Sequence, residues 1–473
     1  MKVLVGIAHH GHKNRPFLQR MLAEFRAMDH AVDVVVLAEA PKDLGPDVEV
    51  RVGLPTANPW SLPFAHREVF AERRDAYDVF VYAEDDTLIT QRTLDTFAEL
   101  SATLPDHLVP GFMRFEEHPD GARSYCSVHS YYRWFPESVF RHAGLTFARF
   151  SNEHAAAYAL TQDQLHRAIA SGGFLVPPHE GTYDMLVSAA TDPYTRCGLQ
   201  KVVCIDRIDD LLLHHLPNVY LGRLGIDQAA FDAQLDALRA IADGTRPSVQ
   251  LLRPEVPTSP PVWSKHAFPA DEPVDDLLPS RRIRRVLCVG TVAGGIERDL
   301  LDRDIEVVAV PVDGVLGAVA GLHGATVLEP DALRTGAVEA HGPYDAIAAI
   351  DVVPYARDPV GFLTELAAHL APGGTLVVTA PDHGRYAVRN RLWPSRRTPL
   401  PASWAEHGSQ VVTPRSLRRW VRAAGFRKVR LHHRRAERRR PLGVADLRGR
   451  LTGNSLAAVA VRPAGPPGVP GRS

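Results

Sequence analysis

The sequence predicts an α/β protein of two domains, and three observations predict it. In both halves short β-branched runs alternate with longer stretches of helical spacing, the pattern of mainly parallel sheets with crossover helices. At 473 residues the chain is longer than one ordinary core fills. Between Pro247 and Pro279 stand eight prolines, and proline, which fixes φ and lacks a backbone donor, suits a semi-rigid linker. The expected organisation is therefore a domain over 1–244, a linker over 245–283, a second domain over 284–462 and a disordered Pro/Gly-rich tail over 463–473.

Composition narrows the classes of function. With 54 basic against 55 acidic residues and a net charge of -1, neither nucleic acid nor an anionic membrane is expected as the main partner. Peripheral membrane contact stays open. Cys126, Cys197, Cys204 and Cys288 form no CxxC pair, which points to buried thiols in a reducing compartment. No cleavable leader is visible, and no apolar run approaches the ~18–20 residues that span a bilayer. A cytoplasmic protein is the expectation.

In the first half, strands are expected at Val3–Ile7, Val32–Leu37 and Val79–Tyr82. The first ends at Ala8-His9-His10, and Asn14 and Pro16 then suit the cap and first turn of a helix carrying Phe17, Leu18, Met21, Leu22 and Phe25. A strand, a polar loop and a helix N-terminus make a place for a diphosphate. The third strand runs into Glu84-Asp85-Asp86. Adjacent carboxylates repel unless water or a cation neutralises them, and Mg²⁺ or Mn²⁺ takes one or two carboxylates together with substrate phosphates. An exposed acidic turn is the alternative.

This triplet resembles the DxD-type metal motif of GT-A glycosyltransferases, and the resemblance covers about residues 1–240. It implies a nucleotide-sugar donor, a glycan, lipid-linked or small-molecule acceptor, and assistance from Mn²⁺ or Mg²⁺. Ala8, Asn14 and Arg15, then His66 and Arg67 within Trp60–Arg67, would face the nucleotide. Asp86 would hold the metal, with Glu84 and Asp85 at the ribose or at metal-bound water. A late His214 or His215 would complete the metal sphere. Inverting members need a carboxylate to take the acceptor proton; Glu180 and Asp184, four residues apart, are the candidates, with Glu153 third. Helix capping by either, and a structural role for either histidine, are the competing readings. The aromatic stretch Tyr125–Phe135 suits core or a sugar platform, with core favoured.

In the second half, strands are expected at Val286–Val289, Glu306–Val310, Ala346–Ile350 and Thr375–Thr379. Tyr344–Pro354, a helix to Leu370, Ala371-Pro372-Gly373-Gly374 and the ending Ala424-Gly425-Phe426 resemble a class I S-adenosylmethionine-dependent methyltransferase. The resemblance implies S-adenosylmethionine as cofactor, with Gly290 and Gly294 in the loop after the first strand, Asp313 toward the ribose and Asp331 toward the adenine. The loop departs from the family's pattern, because Cys288 stands at the acidic position and Val292 at the middle glycine. Methyl transfer to a sugar or metabolite and a non-catalytic docking role both remain readings of this half. Arg434–Arg440 reads as a solvated charge run or a landing site for an anionic acceptor.

Overall fold

Val3, Leu4, Val5 and Ile7 are all buried, so the first strand is apolar on both faces, as a strand covered by helices on each side must be. The structure is a computed structural model. It describes residues 1–128, 132–180, 183–222, 225–252, 277–278, 283–291, 295–392, 409–434 and 455–463. The chain divides between Ala242 and Asp243 into two units.

The first unit opens with β1 (Lys2–His9), α1 (Arg15–Arg26), β2 (Ala31–Ala38), β3 (Val48–Val52), α2 (His66–Glu72) and β4 (Val79–Glu84). It continues through β5 (Thr87–Leu88), α3 (Gln91–Ser101), β6 (Leu108–Pro110), β7 (Met113–Glu117), β8 (Arg123–Ser124), β9 (Trp134–His142) and β10 (Leu145–Phe150). Then follow β11 (Ala157–Thr161), α4 (Gln162–Ala170), α5 (Met185–Thr195), β12 (Gln200–Cys204), β13 (Leu212–His215) and α6 (Gln228–Ala242). The main sheet has the order β11-β4-β1-β2-β3, parallel except for β11, which runs against β4. Two four-stranded sheets, β6-β12-β10-β9 and β5-β13-β7-β8, complete the unit. Part of the aromatic stretch is core: Trp134 is fully buried and donates to Gln234, and buried Tyr125 stacks on Phe231, whereas Tyr132 and Phe135 are partly exposed.

The second unit holds β14 (Arg285–Thr291), α7 (Gly295–Leu301), β15 (Glu306–Pro311), α8 (Gly314–Leu322), β16 (Thr326–Val327), α9 (Ala332–Thr335) and β17 (Tyr344–Ala349). Next come α10 (Pro359–His369), β18 (Leu370–Pro381), α11 (His383–Leu392), α12 (Pro414–Ala423), β19 (Arg427–Arg434) and β20 (Ser455–Val461). Its sheet has the order β16-β15-β14-β17-β18-β20-β19. Only β20 among these strands is antiparallel to its neighbours, β18 and β19. The carboxyl ends of β14, β15, β17, β18 and β19 therefore lie along one edge, where open α/β sheets bind ligands.

Residues 246–252, expected within the linker, pack on this unit. The Leu251 N–H donates to the Val312 carbonyl, Gln250 bridges Asp313, and the Arg246 guanidinium donates to the Gly314 carbonyl. Leu251 and Leu252 supply the driving force by packing against the second core.

Candidate functional site

The turn after β4 carries the acidic triplet, and its two aspartates are held differently. Parallel register sets Ala8 of β1 beside Glu84 of β4, which brings the next residue, His9, to Asp85. Asp85 is buried; its Oδ2 meets His9 Nδ1 at 2.5 Å, and its Oδ1 accepts from Asn14 Nδ2 at 2.7 Å. Asn14 also donates to Asp86 Oδ2 at 3.1 Å. Asn14 precedes α1 as expected, but its side chain makes no capping bond there; it is spent on the two carboxylates instead.

Asp86 faces His215. Antiparallel pairing sets His215 of β13 opposite Thr87 of β5, leaving His215 Nε2 3.7 Å from Asp86 Oδ2. That is too long for a hydrogen bond. The other ring nitrogen, Nδ1, meets the fully buried Glu116 at 2.6 Å, and the second Glu116 oxygen accepts from the Tyr220 N–H at 2.8 Å. A carboxylate behind an imidazole fixes its orientation, here with the far nitrogen toward Asp86. Among the described residues, no group of three or more His, Cys, Asp or Glu side chains could hold a metal ion. Asp86 and His215 are thus at most a two-group site, which a divalent ion would have to share with substrate phosphates.

Glu84 is partly exposed, with His154 Nε2 3.9 Å from its Oε1. Burial, and then the neighbouring Asp86, push its carboxyl upward. Lys201 is buried and donates to the carbonyls of Asn152 and Glu153. Burial drives the Lys201 ammonium down and the Glu153 carboxyl up.

Other residues expected here have different work. His66 is wholly buried, bonding the Pro63 carbonyl and the Tyr158 hydroxyl, and burial holds it neutral. Arg67 is buried too, paired with Asp192 at 2.9 Å and donating to the carbonyls of Phe174, Ser188 and Ala189. His66 ties α2 to β11 through Tyr158, Arg67 fixes α2 against α5, and neither presents a polar edge to a nucleotide. His214 stacks on Phe115 and bonds Asn218, so it turns away from Asp86. Asp184 caps α5 by accepting from Val187, and Glu180 is exposed. Ala8 lies on β1 beside Glu84, and exposed Arg15 donates to the Asp43 carbonyl.

In the second unit β14 ends at Gly290 and Thr291; Val292 and Gly294, in the loop that follows, lie outside the described residues. Gly290 has φ +90°, and a Cβ there would stand 2.0 Å from Val352 Cγ1 and 2.7 Å from the Ile350 carbonyl. Only glycine lets β14 end this close to the segment after β17. Asp313 is fully buried and caps α8, accepting from the Val315 and Leu316 N–H groups. Asp331 precedes α9 with its carboxylate on Arg334 and partly exposed. Asp351 has φ +50° and accepts from the Thr379 hydroxyl at 2.9 Å, which ties the ends of β17 and β18 together. Arg435–Arg440 also lie outside the described residues.

Comparison with known proteins bears on this second unit. A family model described as a methyltransferase domain matches residues 266–431, beginning inside the expected linker. A curated relative, the ribosomal protein L11 methyltransferase of Rhizobium rhizogenes, is 32% identical over 117 residues, which are 23% of this chain and 39% of that protein. The chain thus spans well under half the length of this relative. Among solved structures, a SAM-dependent methyltransferase from Archaeoglobus fulgidus is 15% identical and covers 40% of this chain and 91% of its own, with a TM-score of 0.28. One from Mesorhizobium loti is 16% identical and covers 40% and 95%, with a TM-score of 0.29. The C-terminal region carries a methyltransferase-like domain. The GT-A part of the sequence expectation gains nothing from these matches. No helix among the described residues is long and apolar enough to cross a membrane.

Proposed function

We propose that the chain is a transferase whose C-terminal unit moves a methyl group from S-adenosylmethionine to a small acceptor. The family match over 266–431 carries this reading. The described residues fit the cofactor at two places. Gly290 and the start of α7 would lie along it, and the Asp331 carboxylate is partly exposed at the same sheet edge. They do not fit at a third, because Asp313 is buried as a helix cap. The cofactor when bound would supply a methyl group activated on a sulfonium. Titration calorimetry of the full chain with S-adenosylhomocysteine tests the reading: heat and a raised melting temperature are expected, and the absence of both removes methyl transfer in favour of a docking module.

A second reading concerns the N-terminal unit and rests on Asp86 facing His215 at 3.7 Å. Here a divalent ion shared with a donor diphosphate would be held by Asp86 and His215, and Asn14 and Asp85 would set the loop that presents it. Glycosyl transfer from a nucleotide sugar is the activity this arrangement serves. Glu153 stands beside Glu180 and Asp184 as a candidate to take the acceptor proton, with Asp184 already engaged as a cap. The test is Mn²⁺-dependent hydrolysis across a panel of nucleotide sugars. Loss in Asp86→Ala is expected, and turnover by that variant at the parental rate excludes the assignment.

A further inference from the structure

Near the end of β4, side chains from separate segments of the first unit keep polar atoms that are buried and make no hydrogen bond among the described residues. They are Arg114 Nε, Glu153 Oε2 and Tyr183 Oη. Arg114 lies on β7, Glu153 in the loop between β10 and β11, and Tyr183 just before α5. Buried polar atoms are nearly always paired, so a group of them left open in one neighbourhood calls for a ligand.

The backbone around them is firmly held. The Arg114 N–H donates to Ser127 Oγ at 2.9 Å, and Asn152 Nδ2 donates to the Ser127 carbonyl at 3.3 Å. Lys201 reaches from β12 to the Asn152 and Glu153 carbonyls. Its stem crosses Gly111 so closely that a Cβ there would run into it. The Glu84 N–H donates to the Ala156 carbonyl at 2.9 Å, which fastens the same loop to β4.

Charge decides what the open groups suit. A guanidinium stays charged at any ordinary pH and offers its donors in a planar fork that matches a carboxylate or a phosphate. Among the described residues no carboxylate lies within ion-pair distance of Arg114, although its field reaches both Glu84 and Lys201. Lys201 is a second positive charge nearby, and its donors are spent on the two carbonyls. Burial pushes the Glu153 carboxyl upward, toward a protonated form that can donate to a hydroxyl as well as accept from one. Tyr183 Oη, beside the Glu153 backbone, offers a further hydroxyl contact.

We propose that this cluster binds a polyhydroxy compound carrying one anionic oxygen group, a sugar acid or a sugar phosphate, with Arg114 taking the anion and Glu153 and Tyr183 taking hydroxyls. The inference concerns binding alone. It needs neither a metal at Asp86 nor glycosyl transfer, and so goes beyond both readings above.

The experiment titrates the full chain by calorimetry with glucuronate, glucose 1-phosphate and glucose, in EDTA so that no metal bridge contributes. The parent should bind at least one of the two anions about 10- to 100-fold more tightly than glucose, the range that a hydrogen bond to a charged group supplies. Whichever anion prevails tells carboxylate from phosphate. Arg114→Met should lose that margin and Arg114→Lys should keep part of it. Glu153→Gln should weaken the anions and glucose alike, leaving the margin in place. Equal parental affinities for all three compounds, or no measurable heat with either anion, overturn the proposal. So does an Arg114→Met chain that melts at a lower temperature yet keeps the parental margin, because Arg114 would then serve the fold alone. Mn²⁺-dependent hydrolysis of nucleotide sugars is measured separately; its absence with the margin intact removes glycosyl transfer and leaves this site standing.

Discussion

Replacing His383 with asparagine should remove a pH dependence from the stability of the second unit. His383 is 2% exposed, and burial lowers its pKa from 6.5 to about 4. Asparagine presents an oxygen where Nδ1 accepts from Val412 and does not titrate. Between pH 6.5 and pH 4 the unfolded chain binds the proton and the folded chain does not. Stability therefore falls as pH drops through that window, and is unaffected by this group above it. At about 1.4 kcal/mol per pH unit, the loss reaches about 2 kcal/mol at pH 5 and about 3 kcal/mol below pH 4. The assay is urea unfolding read by amide exchange protection across β18 and β20, at pH 8 and pH 5. The parent should lose about 2 kcal/mol more than His383→Asn between the two conditions. Equal losses would refute the reasoning, since the proton would then enter the folded imidazole as readily as the unfolded one.

Gly290→Ala should cost about 2–4 kcal/mol, from the positive φ and the clash with Val352 together, measured as a shift in urea midpoint. Asp192→Asn leaves the Arg67 guanidinium buried beside a neutral partner and should destabilise the first unit by about 3–5 kcal/mol; Arg67→Met with Asp192→Leu should recover most of it. Thr161→Ala deletes the capping box that Thr161 and Gln164 form at α4 and should cost about 1 kcal/mol, read by thermal melting.

How much of this was legible in the sequence differs between the two units. The strands read from β-branched runs have counterparts in both units, and Val286–Val289 and Thr375–Thr379 fall inside β14 and β18. The methyltransferase resemblance rests on turns whose residues are local, such as Gly373 with φ +79°, and local signals survive without knowledge of packing. The surroundings of Asp86 are different. Glu116 gives no sign in the sequence of its contact with His215, because parallel register between β7 and β13 creates that contact. His66 and Arg67 looked like nucleotide contacts, since polar residues before an acidic motif are as consistent with a site as with a buried network. Only the partners Tyr158 and Asp192, about a hundred residues away, separate the two. Asp313 illustrates the same limit, for an acidic residue just past a strand suits a ribose or a helix cap equally well.

The attachment of residues 246–252 to β15 and α8 bears on how the two halves can be separated. A fragment cut at Arg284, where the sequence places the domain, or at residue 266, where the family match starts, would expose the Val312 and Gly314 carbonyls. It would also strip Leu251 and Leu252 from the core they cover. Such a fragment should express poorly or bind hydrophobic dyes, whereas one beginning at Asp243 keeps the pairing of residues 246–252 with Val312, Asp313 and Gly314. Any assignment of activity to one half by dissection depends on making the cut there.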